Sequence, residues 1–240
     1  MAATPVAFFT PTSPFGAIAG WEVQTGGNPT VTEQRASEVG DDGDEIASEG
    51  YDKRSTVSAT YKPTTWTGGG SMSLPVVGSV LTLYHVDSIS VAFTQTDFPT
   101  LTVNGHRHNG GNGHTDDTMN EYTPEADLIV QGIGVPTTVS DTTSVAMYAL
   151  VESATVGLRS MTYSLAVTHE DELDSVGNHL AGENRDGIET YELEFTGLAA
   201  VTDDYTISAG LFVETDTPSQ GNTAVSTESL TLTQHIAMDA

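Results

Sequence analysis

Apolar and polar residues alternate with a period of two through most of this chain, the pattern of strands with one buried face. Ser55–Tyr61 reads STVSATY and puts Val57, Ala59 and Tyr61 on one side. Ser79–Tyr84 and Ser88–Thr94 flank His85–Asp87 and predict a hairpin or one bent strand, followed by a short strand at Thr100–Val103. Ile188–Phe195 turns Ile188, Tyr191, Leu193 and Phe195 inward. Thr206–Val213 and Val225–Thr233 close the chain as strands joined by a polar loop at Glu214–Thr223. One stretch departs from this period: Asp141 can cap a helix over 141–155, where Ala146, Ala149 and Leu150 are good helix formers. Turn-forming runs at Gly26–Pro29, Gly40–Gly43, Gly68–Gly70, Gly105–Thr118 and Pro136–Asp141 separate the elements. The expected class is mainly β, an antiparallel β-sandwich or barrel with long loops and one helix.

One segment occurs twice. Residues 38–61 (EVGDDGDEIASEGYDKRSTVSATY) recur without a gap at 172–195 (ELDSVGNHLAGENRDGIETYELEF), an offset of 134 from Gly43 to Gly177. Glu38/Glu172, Gly43/Gly177, Ala47/Ala181, Glu49/Glu183, Asp52/Asp186 and Thr56/Thr190 are identical pairs, and Tyr61/Phe195 keeps its aromatic character. The expectation is one domain over 1–240 with an internal duplication and a boundary between halves near 134–141. Reused supersecondary units are more typical of scaffolds and assembly proteins than of enzymes with one asymmetric site.

The charge narrows the functions. Acidic residues number 33 against 7 basic ones, for a formal net charge of −26, and lysine occurs only at Lys53 and Lys62. Such a surface repels phosphate, which argues against a sequence-specific nucleic-acid binder. Its self-repulsion is relieved by salt and points to a saline habitat. The absence of cysteine excludes disulfides and thiolate metal sites. The N-terminal run has no basic segment and is interrupted by Pro5, Pro11 and Pro14, so it does not read as a secretory signal. No stretch approaches the roughly 20 apolar residues of a membrane helix. The expectation is a soluble chain assembled in the host cytoplasm, with no membrane partner.

Candidate chemistry is sparse. His106, His108 and His114, with Asp116 and Asp117, form the one plausible metal cluster, but their spacing matches no strong motif. Gly-rich loops also hold ligands poorly, so Gly105–Thr118 is expected to be an exposed, solvated insertion without metal. Asp41, Asp42, Asp44 and Glu45 lack the spacing that aims oxygens at one calcium ion. Ser71 follows Gly68–Gly70 but lacks a nucleophile-elbow context, and Gly132–Gly134 fails the dinucleotide pattern. Trp21 and Trp66 read as core or interface anchors. No catalytic residue and no cofactor is expected.

Three segments, GDEIASEGYDKRSTVSATY (43–61), SISVAFTQTDFPTLTVNG (88–105) and TYSLAVTHEDELDSVGNHLAGENRDGIETYELEFTG (162–197), together resemble major tail (tail tube) proteins of tailed viruses of bacteria and archaea. The likeness lies in phrasing and order, without an invariant motif. It departs from the family in its excess of acid, which would fit a halophilic host. The resemblance implies a structural virion protein of the tail. Its β-sandwich subunits would form hexameric rings that stack into a tube, through which DNA passes without specific binding. It implies partners in the copies of the chain itself and in tape-measure, terminator and tip proteins. Glu38, Asp52, Thr56 and Tyr61, with Glu172, Asp186, Thr190 and Phe195, are assembly candidates. Asp41, Asp42, Asp44 and Glu45 are candidates for the lumen. If each half is a complete unit, three chains would give a pseudo-sixfold ring. The alternatives are another virion component (capsid decoration, head–tail or tail-tip protein) and an extracellular β-sandwich binding module.

Overall fold

A computed structural model describes residues 12–64, 70–71, 73–109, 120–124, 129–130, 138–140, 146–150, 156–197, 205–207, 212–219 and 226–236. Its strands are β1 (Trp21–Thr25), β2 (Thr30–Val39), β3 (Glu45–Pro63), β4 (Gly70–Ser71), β5 (Val80–Leu81), β6 (Tyr84–Thr94), β7 (Thr100–His108) and β8 (Ile129–Val130). They continue with β9 (Thr138–Ser140), β10 (Ala146–Leu150), β11 (Val156–Leu173), β12 (His179–Gly197), β13 (Tyr205–Ile207), β14 (Phe212–Ser219) and β15 (Ser226–Ile236). The fold is mainly β, every named pairing is antiparallel, and no helix occurs among the described residues.

One long sheet runs β1-β3-β7-β6-β11-β12-β15-β14, with β2 beside β3 and β5 beside β6; β13-β10-β9 and β4-β8 form smaller sheets. Within the long sheet the same four-strand arrangement occurs twice. The first unit is β2-β3-β7-β6 and the second is β11-β12-β15-β14, each laid down in the order first, second, fourth, third. The two are joined where β6 pairs with β11, from Ser160↔Thr94 to Ala166↔Ser88.

The repeated sequence segments fold alike in detail. β3 and β12 are both 19 residues long and begin and end at the same offset of 134. Their preceding turns carry matching bonds. Gly40 N–H donates to Asp44 O at 2.8 Å and Gly43 N–H to Gly40 O at 2.9 Å; Asp174 N–H donates to Asn178 O at 2.9 Å and Gly177 N–H to Asp174 O at 3.0 Å. Gly43 and Gly177 have φ of 86° and 79°, and Asp52 and Asp186 have φ of 49° and 52°. Each aspartate lies in a bulge at the matching register shift, Thr32/Gln34 in one hairpin and Ala166/Thr168 in the other. A second correspondence relates β6–β7 to β14–β15. There Val86↔Gly105 matches Val213↔Leu232, and both ladders shift register at the next residue, Asp87 and Glu214. The offset is 127 in this half, which hides it from the gapless sequence match.

The core follows from the alternation. Val57, Ala59 and Tyr61 of β3, Ile89, Val91 and Phe93 of β6, and Leu101 and Val103 of β7 are buried with Met161, Tyr163 and Leu165 of β11. Tyr191, Leu193, Leu230 and Leu232 extend the same cluster across the second unit. Phe15, Ile18, Val77 and Tyr122 pack onto it from connecting segments, and Tyr122 is tied to Val77 by a two-way backbone bridge of 2.8 and 3.1 Å. Trp21 is a core residue whose Nε1–H donates to Ser73 O at 3.1 Å. Trp66 lies outside the described residues.

Four expectations are corrected. The helix expected over 141–155 is a strand at Ala146–Leu150, where pairing with β9 and β13 overrides the helical preference of Ala146, Ala149 and Leu150; 141–145 and 151–155 lie outside the described residues. The loop expected from Glu214 is strand through Ser219, because it completes the ladder with β15. Ile188 is not inward: it flanks the Asp186 bulge and is 36% exposed. Gly105–His108 is not an exposed insertion but the buried end of β7, held between β3 and β6.

The tip of the second hairpin rests on the bulge of the first, whereas the tip of the first stands clear. Asp52 N–H donates to Gly177 O at 2.9 Å, and a Cβ on Gly177 would stand 2.2 Å from Tyr51 Cβ. A Cβ on Gly43 would meet nothing within 4 Å. Gly43→Ala is expected to cost roughly 1–2 kcal/mol from its left-handed backbone alone, and Gly177→Ala clearly more, read by urea denaturation. Equal losses would show that the Tyr51 contact contributes nothing.

Candidate functional site

His106 and His108 alternate with Val103 and Gly105, so they lie on the face of β7 opposite the core. They are nevertheless 3% and 8% exposed. The cover comes from the second unit. β6 and β11 pair only as far as Ser88 and Ala166, and beyond the register shift the β11–β12 hairpin lies against the histidines of the first unit. His179 stacks on His108 with ring centroids 3.6 Å apart and planes 4° from parallel, and His169 stands 4.8 Å from His106 and 4.5 Å from His85.

Two carboxylates organise these rings. Asp87, in the β6 bulge, receives Nδ1 of His85 at 2.8 Å and of His106 at 2.7 Å on the same oxygen. Burial pushes the Asp87 carboxyl up, but the hydrogen bonds from His106 and His85 outweigh it and hold it at about 2. Burial is the largest influence on the His106 imidazole and lowers it; with the charges of His85 and His169 it outweighs the hydrogen bond and charge of Asp87, so the ring is held toward its neutral form. Asp171 Oδ1 lies 3.0 Å from Nε2 of His108, 3.0 Å from Nε2 of His169 and 3.3 Å from Nδ1 of His179. Burial opposes its ionisation, yet contacts with His108 and His169 win and hold it below the usual carboxylate range.

Arg54 closes the cluster on the β3 side. It grips Asp52 with Nε–Oδ1 at 3.2 Å and Nη2–Oδ2 at 2.7 Å, and reaches Asp171 Oδ2 at 2.6 Å. The cluster thus holds three carboxylates and one guanidinium: Asp52 and Asp171 contact Arg54, and Asp87 is held by His85 and His106. The ligand atoms of His106, His108, His169 and Asp171 lie within 4.8 Å of one another, as do those of His85, Asp87 and His106.

Compared with known protein families and with curated proteins, the chain matches none.

The other sequence candidates are spread over the two hairpins. Asp41, Asp42 and Asp44 form the exposed turn of the first, and Glu45 begins β3 in a 2.7 Å ion pair with Arg35. Glu38 and Glu172 occupy matching exposed positions near the tips. Asp52 is buried against Arg54, whereas Asp186 is exposed. Thr56 faces solvent and Thr190 is half-buried. Tyr61 is buried, with its hydroxyl 2.6 Å from Ser13 Oγ. Phe195 pairs with Leu158 and Glu228 in the backbone ladder. His114 lies outside the described residues. The structure brings together His106 and His108 from the candidate set and adds His85, Asp87, His169, Asp171 and His179. The signal available in the sequence was three i, i+2 motifs on strands, His-x-Asp at 85–87 and 169–171 and His-x-His at 106–108.

Proposed function

We propose that this chain is a structural virion protein, a tail-tube subunit whose copies join edge to edge into rings that stack around an acidic channel. The observation that carries this reading is the junction between its own two units. β6 of the first unit pairs with β11 of the second, while their counterparts β14 and β1–β2 are the two ends of the sheet. Val31 occupies the place of Leu165, yet Val31 is 56% exposed and Leu165 is fully buried. Among the described residues Val31 has β3 on one side only, whereas Leu165 has a strand on both. An open edge of ten residues without lysine or proline is an invitation to pair. β14 of a second copy supplies a strand of matching kind, with Thr215–Thr217 opposite Thr30–Thr32 as Ser88–Ser90 lie opposite Ser164–Ala166. Such contacts are head-to-tail and close into a ring when the rotation permits. With two units per chain, a ring of six units takes three chains.

The exposed first hairpin and the outer side of the second hairpin's tip serve stacking between rings. Every residue of β2 and the first six of β3 are exposed, and Val39, Ile46, Val176 and Leu180 present apolar groups near the tips. The acidic surface suits a conduit for DNA, because it repels the phosphate backbone. Tape-measure, terminator and tip proteins are the further partners of such a tube, in a virion assembled in the host cytoplasm. No catalytic step is assigned.

Negative-stain electron microscopy at molar and at low salt, with mass measurement alongside, tests the reading. Rings of three chains, or hollow tubes with a repeat of that mass, are expected at high salt, where repulsion is screened. A monomer under all conditions would overturn it and favour an extracellular binding module.

A further inference from the structure

We propose that the histidine cluster is a structural site for one divalent transition-metal ion, zinc foremost, bound by His106, His108 and His169 through Nε2 and by Asp171 through Oδ1. The ion would pin the two units of the chain together.

Hydrogen bonds fix the donor atoms. Asn184 Nδ2 donates to Gly78 O at 3.2 Å and Asn120 O at 3.0 Å, which leaves its Oδ1 turned to His169 Nδ1 at 2.7 Å. That oxygen can only accept, so His169 carries its hydrogen on Nδ1 and, when neutral, presents an Nε2 lone pair to Asp171 Oδ1 at 3.0 Å. His106 is oriented in the same way by Asp87, which accepts from its Nδ1. Carbonyl and carboxylate acceptors on the far nitrogen are the arrangement that metal-ligating histidines use. Two lone pairs facing each other need a positive charge between them, either protons or a metal ion.

Spacing and charge favour the ion. A tetrahedral ion with bonds of about 2.0–2.1 Å keeps its ligand atoms ~3.3 Å apart, close to the 3.0 Å contacts of His108 and His169 with Asp171. Three imidazoles and one carboxylate suit zinc and its neighbours, not magnesium or calcium. Three carboxylates against one guanidinium leave two negative charges to neutralise. All four ligands are protein side chains, as in a structural site.

The placement gives the ion a purpose. His106 and His108 belong to the first unit and His169 and Asp171 to the second, on strands separated by β6. At the corresponding positions elsewhere in the repeat stand Thr233 and His235, and Arg35 and Ser37. The ligand set therefore exists only where the two units meet within one chain, and not at the edges proposed to join separate chains. Binding is measured on the unassembled chain, so its failure and the failure of ring formation are distinguishable.

The test is cobalt and zinc titration of the chelator-stripped full chain. One equivalent should bind, with intense visible d–d bands for cobalt and an imidazole-rich shell in the zinc absorption edge spectrum. His169→Gln and His106→Gln, each with native circular dichroism, should weaken binding at least about 100-fold, while His235→Gln should leave it unchanged. Should either variant fail to fold, the zinc spectrum of the unmodified chain decides. An oxygen-only shell, no one-to-one binding, or binding indifferent to His169→Gln would overturn the site and leave a cluster held by protons.

Discussion

Replacing Arg54 by methionine is expected to lower the melting temperature of the metal-free chain by roughly 6–12 °C. Arg54 is the guanidinium shared by Asp52 and Asp171, whose side chains are only 5% and 8% exposed. Removing one partner of a buried pair leaves uncompensated charge and costs roughly 3–5 kcal/mol. A chain of this size loses about 2–4 °C for each kcal/mol, so the lower end of that cost gives the stated shift. Methionine keeps most of the apolar stem, which isolates the loss of charge from the loss of packing.

A companion variant separates the two causes. Asp52→Asn preserves the left-handed backbone at this position, since asparagine tolerates the φ of 49°. It also keeps an oxygen for Gln34 Nε2, now 3.0 Å from Asp52 Oδ2. Adding Asp52→Asn to Arg54→Met removes one of the stranded charges and should recover part of the lost stability. A double variant no better than the single one would show that Arg54 acts through packing. Differential scanning calorimetry in chelator measures both.

The faces of the strands were legible in the sequence because burial leaves a period-two trace, as in Val57, Ala59 and Tyr61 or Tyr191 and Leu193. The hairpin repeat was legible because 38–61 and 172–195 align without a gap. Its second half was not, because seven residues are lost between the halves and little beyond Val86/Val213, Asp87/Glu214 and His108/His235 survives as likeness. The strand at Ala146–Leu150 has local helix formers, and only its distant partners in β9 and β13 reveal it. The histidine cluster failed to show for a related reason. His106 and His108 sit in a polar, Gly-rich run that reads as solvated, and what buries them is the β11–β12 hairpin, remote in sequence. Local composition carries no information about a cover supplied by long-range pairing.

Cysteines introduced at Val31 and Asp216 are expected to link neighbouring chains in a ring while leaving each single-cysteine variant unlinked. The native chain has no cysteine, so no native thiol competes, and the single-cysteine variants report any pairing of like positions. The positions follow from the repeat: Leu165↔Ile89 is a register pair at the internal junction, and Val31 and Asp216 are its counterparts across the proposed junction between chains. Partners in an antiparallel ladder lie about 4.5–5.5 Å apart, within or near disulfide range. Shifting the second cysteine to Thr215 moves it to the opposite face of β14 and should abolish most of the linkage. Oxidation of V31C/D216C at high salt should give a ladder on denaturing gels that ends at three chains, because a closed ring has no free edge. A ladder ending at six would keep the junction and reject the count of three. Linkage by V31C/T215C as efficient as by V31C/D216C would reject the register. No linkage under conditions where rings are visible would place the contact elsewhere and remove the argument from the internal junction.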